Sequence, residues 1–111
     1  METLTRGDIV LFPFPYTDLS NRKLRPCLVL SEEMEEDIML CQITSQRLRK
    51  DAYSVELKPT DTTDGNIMVD SYIRANMMFT ASKAQIRRKL CKVKDEKYKQ
   101  VTNAIMKIIA K

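Results

Sequence analysis

Arg6-Gly7-Asp8-Ile9-Val10-Leu11-Phe12-Pro13-Phe14 and Lys23-Leu24-Arg25-Pro26-Cys27-Leu28-Val29-Leu30-Ser31 hold two apolar runs separated by a polar stretch. Residues 8–14 read as a strand. Pro13 and Pro15 mark its end, because proline cannot donate to a sheet ladder. Residues 26–31 read as a second strand, continuous in apolar character and so expected to be buried on both faces. Residues 15–25 are rich in turn-forming and polar side chains and read as a loop. Arg25 falls immediately before the second strand, at the mouth of that loop. A strand fixes the backbone there, and the loop mouth leaves the guanidinium open to a ligand.

Outward from this pair the chain continues in short strands. Glu32, Glu33, Glu35, Glu36 and Asp37 read as a solvated acidic turn. Residues 38–44 form a third strand. Residues 45–51 form a loop carrying Arg47, Arg49 and Lys50. Residues 53–57 alternate, as a half-exposed strand does. A turn-rich loop covers 59–65, and residues 66–69 and 72–80 supply further strand material. Ser82 is placed to cap a short helical turn, and residues 88–93 alternate Leu90, Cys91 and Val93 with basic side chains. The last segment changes period. Tyr98, Val101, Ile105, Ile108 and Ile109 recur at helical spacing. Asp95 and Glu96 lie at its start and Lys107 and Lys111 near its end, as the helix dipole favours. The expectation is one amphipathic helix over residues 95–110, packed on a small β-barrel.

A chain of 111 residues fits one domain, 1–111. Its 19 basic and 15 acidic residues give a net charge of +4, a mild lean towards anionic partners. Cys27, Cys41 and Cys91 are odd in number and far apart, no Cys-x-x-Cys pair exists, and there is no histidine. A disulfide framework and a zinc site therefore lack support, and the thiols read as buried hydrophobes in a reducing compartment. The expectation is no metal and no cofactor. No secretory signal and no long apolar span is visible, so the cytoplasm is the expected location and no membrane is expected as a partner.

The missing residue types narrow the chemistry. Without histidine the familiar serine- and cysteine-hydrolase mechanisms lose their general base. With Gly7 and Gly65 as the only glycines, a glycine-rich phosphate cradle is unsupported. Cationic and hydroxylic side chains remain. RNA brings its own nucleophile, the 2′-OH, so an enzyme acting on it needs to hold the phosphate and stabilise charge. Arginine suits the second task, because its planar fork pairs two phosphate oxygens at once. Arg25 is the first candidate, held extended by Pro26. Thr44 and Ser45 end the third strand, where they either terminate it and begin a turn or offer hydroxyls to a phosphate. Arg22, Lys23, Arg47, Arg49 and Lys50 flank them and can form a track for a single strand. Tyr16 and Phe14 offer aromatic faces nearby, Phe14 reading chiefly as core.

The order Gly-Asp-Ile-Val, Pro-Phe-Pro, Thr-Asp-Leu-Ser, Leu-Arg-Pro, Leu-Val-Leu-Ser resembles the MazF/PemK (Kid-like) family of toxin endoribonucleases of type II toxin–antitoxin systems. The likeness covers residues 6–93 well and the last helix loosely. It implies a mainly β, SH3-like small barrel with a C-terminal α-helix. It also implies metal-independent cleavage of single-stranded RNA, messenger RNA above all, by 2′-OH transesterification. In the family the arginine opening the Arg-Pro-x-Leu-Val-Leu strand is catalytic, and Arg25 to Leu30 matches it. The resemblance gives Thr44, with Ser45, the scissile phosphate. Some members carry Arg-x-Asp on a later strand, the Asp as general base and the Arg as acid. The matching residues here are Arg74-Ala75-Asn76, and an amide cannot take up a proton as a base must. Asn76 can still hydrogen-bond a base or phosphate. The implied partners are an antitoxin with an acidic, apolar tail and a second copy of the chain in a homodimer, for which Met77, Met78 and Phe79 read as core or subunit contact. Two alternatives stay open: a non-enzymatic toxin of the same fold that grips a protein, as gyrase poisons do, and an RNA-binding relative with weakened cleavage.

Overall fold

A computed structural model describes residues 3–15, 22–45 and 52–110, with the backbone alone for Pro15 and Arg22. Seven strands follow one another: β1 (Asp8–Pro15), β2 (Arg22–Val29), β3 (Asp37–Thr44), β4 (Ser54–Leu57), β5 (Thr62–Thr63), β6 (Ser71–Ser82) and β7 (Arg88–Val93). One helix, α1 (Asp95–Ile109), closes the described chain. The strands form a single antiparallel sheet in the order β4-β6-β3-β2-β1-β7-β5, curled into a half-barrel.

Alternation along the strands splits the apolar residues between the two faces of the sheet. Ile9, Leu28, Cys41, Ile43, Ile73 and Leu57 point to one face, where Val101 and Ile105 of α1 pack on them. Val10, Phe12, Cys27, Val29, Ile38 and Leu40 point to the other, with Leu4, Ala81 and Ile86. Burying one such side chain stabilises by about 1.5–3 kcal/mol. The rings of Phe12, Phe14 and Phe79 lie 5.3–5.5 Å apart at one side of this second cluster, which makes Phe14 a packing residue. Helical spacing and the sheet contacts agree for Tyr98, Val101 and Ile105, and the Tyr98 hydroxyl donates to the Leu30 carbonyl at 3.1 Å. Ile108 and Ile109, expected on the same stripe, are exposed.

Three further readings change. β2 begins at Arg22, so residues 22–25 belong to a strand and not to the loop. Pairing with β1 imposes this, from Pro15↔Arg22 through Phe12↔Arg25 to Ile9↔Leu28. Residues 66–69 form no strand. Asp64 and Gly65 turn the chain with positive φ, and Ile67 is driven singly into the core. The acidic turn is more than a solvated surface. Glu33 accepts from the Leu4 amide at 2.8 Å and from Lys83 Nζ at 2.7 Å. Ser82 does cap the turn Lys83–Gln85, accepting from the Ala84 amide.

Candidate functional site

Arg25 is the fourth residue of β2, and its parity is that of Cys27 and Val29. It therefore projects to the face away from α1. Thr44, the last residue of β3, shares parity with Leu40 and Gln42 and projects to the same face. The β2–β3 register runs Val29↔Leu40, Leu28↔Cys41, Cys27↔Gln42. Carried two residues on, it sets Arg25 opposite Thr44. The paired ladder stops before that point, next to Pro26, which has no N–H to give. Arg25 and Thr44 thus stand at the end of the β2–β3 seam, where the hydrogen-bonded ladder has ended. Thr44 is buried and Ser45 after it is exposed. Lys23 lies two residues before Arg25 on the same face and is exposed.

Arg74 and Asn76 lie where β6 departs from its register. Cys41 pairs with Met78 and Ile43 with Ile73, so the four residues Arg74 to Met77 face Gln42 alone. Such an excursion bends a strand and re-aims its side chains. Two bonds pin it: the Cys41 thiol donates to the Arg74 carbonyl at 2.8 Å, and the Ala75 amide donates to the Tyr53 carbonyl at 2.9 Å. Arg74 pairs with Ser54 and falls on the face that carries Arg25 and Thr44. Its Nε is buried and has no hydrogen-bond partner among the described residues. Asn76 and Met77 are exposed. Met78 packs on the helix-side cluster and Phe79 on the opposite one.

The structure therefore brings Lys23, Arg25, Thr44 and Arg74 to one face, with Ser45 at its rim and Asn76 on the adjoining excursion. Tyr16, Arg47, Arg49 and Lys50 lie outside the described residues, as does the side chain of Arg22. Tyr72 and Gln42 share the face and were not singled out from sequence. Parity with Thr44 along β3 points to Gln42 directly, whereas Tyr72 follows only once the strand pairing is known.

Chemically the face offers guanidinium, ammonium, hydroxyl and amide groups, with the Glu56 carboxylate at its β4 edge. The thiols do not join them. Burial pushes the Cys27 thiol far above its ordinary range, with the neighbouring Cys41 adding to the effect, and pushes Cys41 up to about 12. Among the described residues no group of three or more His, Cys, Asp or Glu is placed to hold a metal ion. Nor is any described helix long and apolar enough to cross a membrane.

Residues 5–109 match the family described as PemK-like, MazF-like toxin of type II toxin-antitoxin system. The chain belongs to that family. Solved structures share its fold at low sequence identity. A MazE–MazF structure from Deinococcus radiodurans superposes with a TM-score of 0.79 at 18% identity, covering 97% of each chain. A structure of MazF from the same organism covers 100% of each chain, with a TM-score of 0.74 at 16% identity. An endoribonuclease in complex with its cognate antitoxin, from a mycobacterial species, gives 0.75 at 18% identity over 94% of this chain and 92% of its own. No curated protein sequence matches the chain. Family membership accounts for the mainly β half-barrel with its C-terminal helix.

Proposed function

We propose that this toxin is an endoribonuclease that cleaves single-stranded RNA at a short sequence, working as one domain over residues 1–111. The observation that carries the proposal is the opposition of Arg25 and Thr44 at the open end of the β2–β3 seam. A phosphate seated there meets a guanidinium fork from one strand and a hydroxyl from the next. The 2′-oxygen of the preceding ribose attacks phosphorus and forms a new P–O bond. The bond to the 5′-oxygen breaks, leaving a 2′,3′-cyclic phosphate and a 5′-hydroxyl. The 2′-OH proton leaves and the 5′-oxygen gains one, so the reaction needs no other reactant. Charge grows on the non-bridging oxygens as phosphorus becomes five-coordinate, and Arg25 stabilises it there. Thr44 holds the phosphate through its hydroxyl, Ser45 beside it. Arg74, on the same face, supplies a second cation to the phosphate. Asn76 contributes hydrogen bonds and not proton uptake. Tyr16, Arg22, Lys23, Arg47, Arg49 and Lys50 lead the strand in. The partners are messenger RNA, an antitoxin whose acidic tail competes for the same cations, and a second copy of the chain; the setting is the cytoplasm.

The test is incubation of the purified protein with a long RNA in EDTA, with mapping of cut sites and end chemistry. Sequence-specific cuts with 5′-hydroxyl ends are expected, and Arg25→Ala lowers their rate roughly 10²–10³-fold, the usual scale for one such donor. Full activity in folded Arg25→Ala sinks the assignment. RNA binding without cuts in the unsubstituted protein points instead to a binding relative, as Asn76 would favour.

A further inference from the structure

The row that sets Arg25 opposite Thr44 continues across the sheet. Thr44 pairs with Tyr72 of β6, and Tyr72 pairs with Glu56 of β4. Directly paired residues of antiparallel strands project to one face, their Cβ atoms about 4.5–5.5 Å apart. Arg25, Thr44, Tyr72 and Glu56 therefore form one line over four adjacent strands, ending at β4, an edge of the sheet. Tyr72 is half-buried and Glu56 exposed. The edge-to-face and tilted cluster of Phe12, Phe14 and Phe79 does not include Tyr72, which lies in the row between Thr44 and Glu56. Among the described residues Glu56 pairs with Lys58 Nζ at 3.9 Å, with both side chains more than half exposed. So long and wet a contact contributes little and leaves the carboxylate open.

A carboxylate on a face that handles a polyanion carries information. It repels phosphate, and its favourable partners on RNA are the N–H groups of base edges. A tyrosine ring beside it supplies a stacking platform, which every base accepts. We propose that Tyr72 and Glu56 form a nucleobase subsite next to the scissile phosphate. The base stacks on Tyr72 and donates from its amino edge to Glu56. Adenine, cytosine and guanine carry an exocyclic amino group, whereas the one edge donor of uracil, N3–H, is flanked by two carbonyl oxygens that the carboxylate repels, so the subsite disfavours uracil. Guanine fits best, because its N1–H and N2–H point side by side at the two carboxylate oxygens. This inference rests on the ribonuclease reading above.

The test uses the whole protein and an RNA pool randomised around the cut. Affinity is read by anisotropy on an oligonucleotide made uncleavable by a 2′-deoxy at the cut nucleotide. Uracil is expected to be depleted at one position of the native motif, and Glu56→Gln to admit it. Tyr72→Ala is expected to weaken binding roughly tenfold to a hundredfold, the range for one lost base stack. Tyr72→Phe keeps the ring and the affinity. Tyr72→Leu keeps apolar bulk without a π face and loses affinity as Ala does, which separates stacking from packing. If the native protein cuts RNA but Tyr72→Leu binds as well as it does, the subsite is overturned and the ribonuclease reading stands. Loss of affinity in Tyr72→Phe equal to that in Tyr72→Ala overturns it as well, as does a motif unchanged by Glu56→Gln. A native protein that neither cuts nor binds RNA overturns both readings.

Discussion

The Cys41 thiol donates a hydrogen bond to the Arg74 carbonyl at 2.8 Å, tying the middle of β3 to the start of the β6 excursion. Burial keeps this thiol protonated, with its pKa pushed up to about 12, so it is a donor at neutral pH. Cys41→Ala removes the donor and leaves a carbonyl without it, at a cost of about 1–3 kcal/mol. Urea unfolding reads that loss directly. Cleavage, measured where the variant is fully folded, is expected to fall as well, because Arg74 is no longer held in place. Cys41→Ser restores a donor and should recover most of the activity. Equal activity in the folded Ala and Ser variants would show that the bond positions nothing.

All three thiols are fully covered, and burial raises each, Cys91 to about 11 with the Asp8 carboxylate adding to the effect. Thiolate is the reactive form, so almost none is available at pH 8. Disulfide-exchange reagents are expected to modify none of the three in the native protein and all three in denaturant. One rapidly modified equivalent in the folded state would contradict the packing of the sheet.

β1, the core of β2, β3, β7 and the helix were legible in the sequence because apolar periodicity alone defines them. The start of β2 was not. Arg22-Lys23-Leu24-Arg25 has no β-branched residue and little alternation of its own, and it is a strand because β1 lies beside it. Residues 66–69 misled for the opposite reason. Their apolar content belongs to one anchor, Ile67, and to exposed Met68 and Val69. Within the candidate site, a motif points to Arg25 and Thr44. Tyr72 and Glu56 were not legible, because membership of a transverse row depends on strand pairing, which a single sequence does not contain. The excursion at Arg74 was hidden likewise: it exists as a mismatch in count between two strands.

Glu33 joins the N-terminal segment to the turn after β6, accepting from the Leu4 amide and from Lys83 Nζ. The Lys83 hydrogen bond first, and then that of Leu4, hold its carboxyl below the ordinary value of 4.5. A group lowered on folding stabilises fully above its unfolded pKa and loses that contribution as pH falls through the folded one. Lys83 is raised above 10.5 by the same bond, so its share is present below 10.5 and lost as pH rises through its folded value. Stability is therefore expected to decline below about pH 4.5. Glu33→Gln should flatten that acid limb while lowering stability at pH 7. Melting temperatures across pH test this, and an acid limb of unchanged slope in the variant would contradict it.

Gly65 has φ +129°, a conformation open to glycine, and it lies against Leu90 and Cys91 of β7. A Cβ there would lie 2.2 Å from the Leu90 carbonyl oxygen and 3.1 Å from Cys91 Cβ. The first of these neighbours is backbone, at the bulge where β7 shifts register against β1 between Lys89 and Cys91, so relieving the clash means moving main chain and not a side-chain end. Gly65→Ala is expected to cost at least about 2 kcal/mol, from backbone strain and displacement of the loop that seats Ile67. The Tm of the variant measures it. A loss under about 0.5 kcal/mol would mean that the loop shifts freely and does not anchor the sheet.

Arg25→Lys separates charge from shape at the seam. Lysine keeps the positive charge, so long-range attraction for RNA and its salt dependence are expected to change little. It offers a point charge where the guanidinium offers a planar fork, and two phosphate oxygens can no longer be held in one geometry. That difference grows as charge develops on phosphorus, so the loss should appear in the rate of cleavage and not in affinity. About a hundredfold fall in single-turnover rate, with the dissociation constant of an uncleavable RNA nearly unchanged, is the expected result. A parallel fall in both would reassign Arg25 to ground-state binding. Native rates in the lysine variant would mean that a charge at this position is enough and that the opposition to Thr44 does not hold the reacting phosphate.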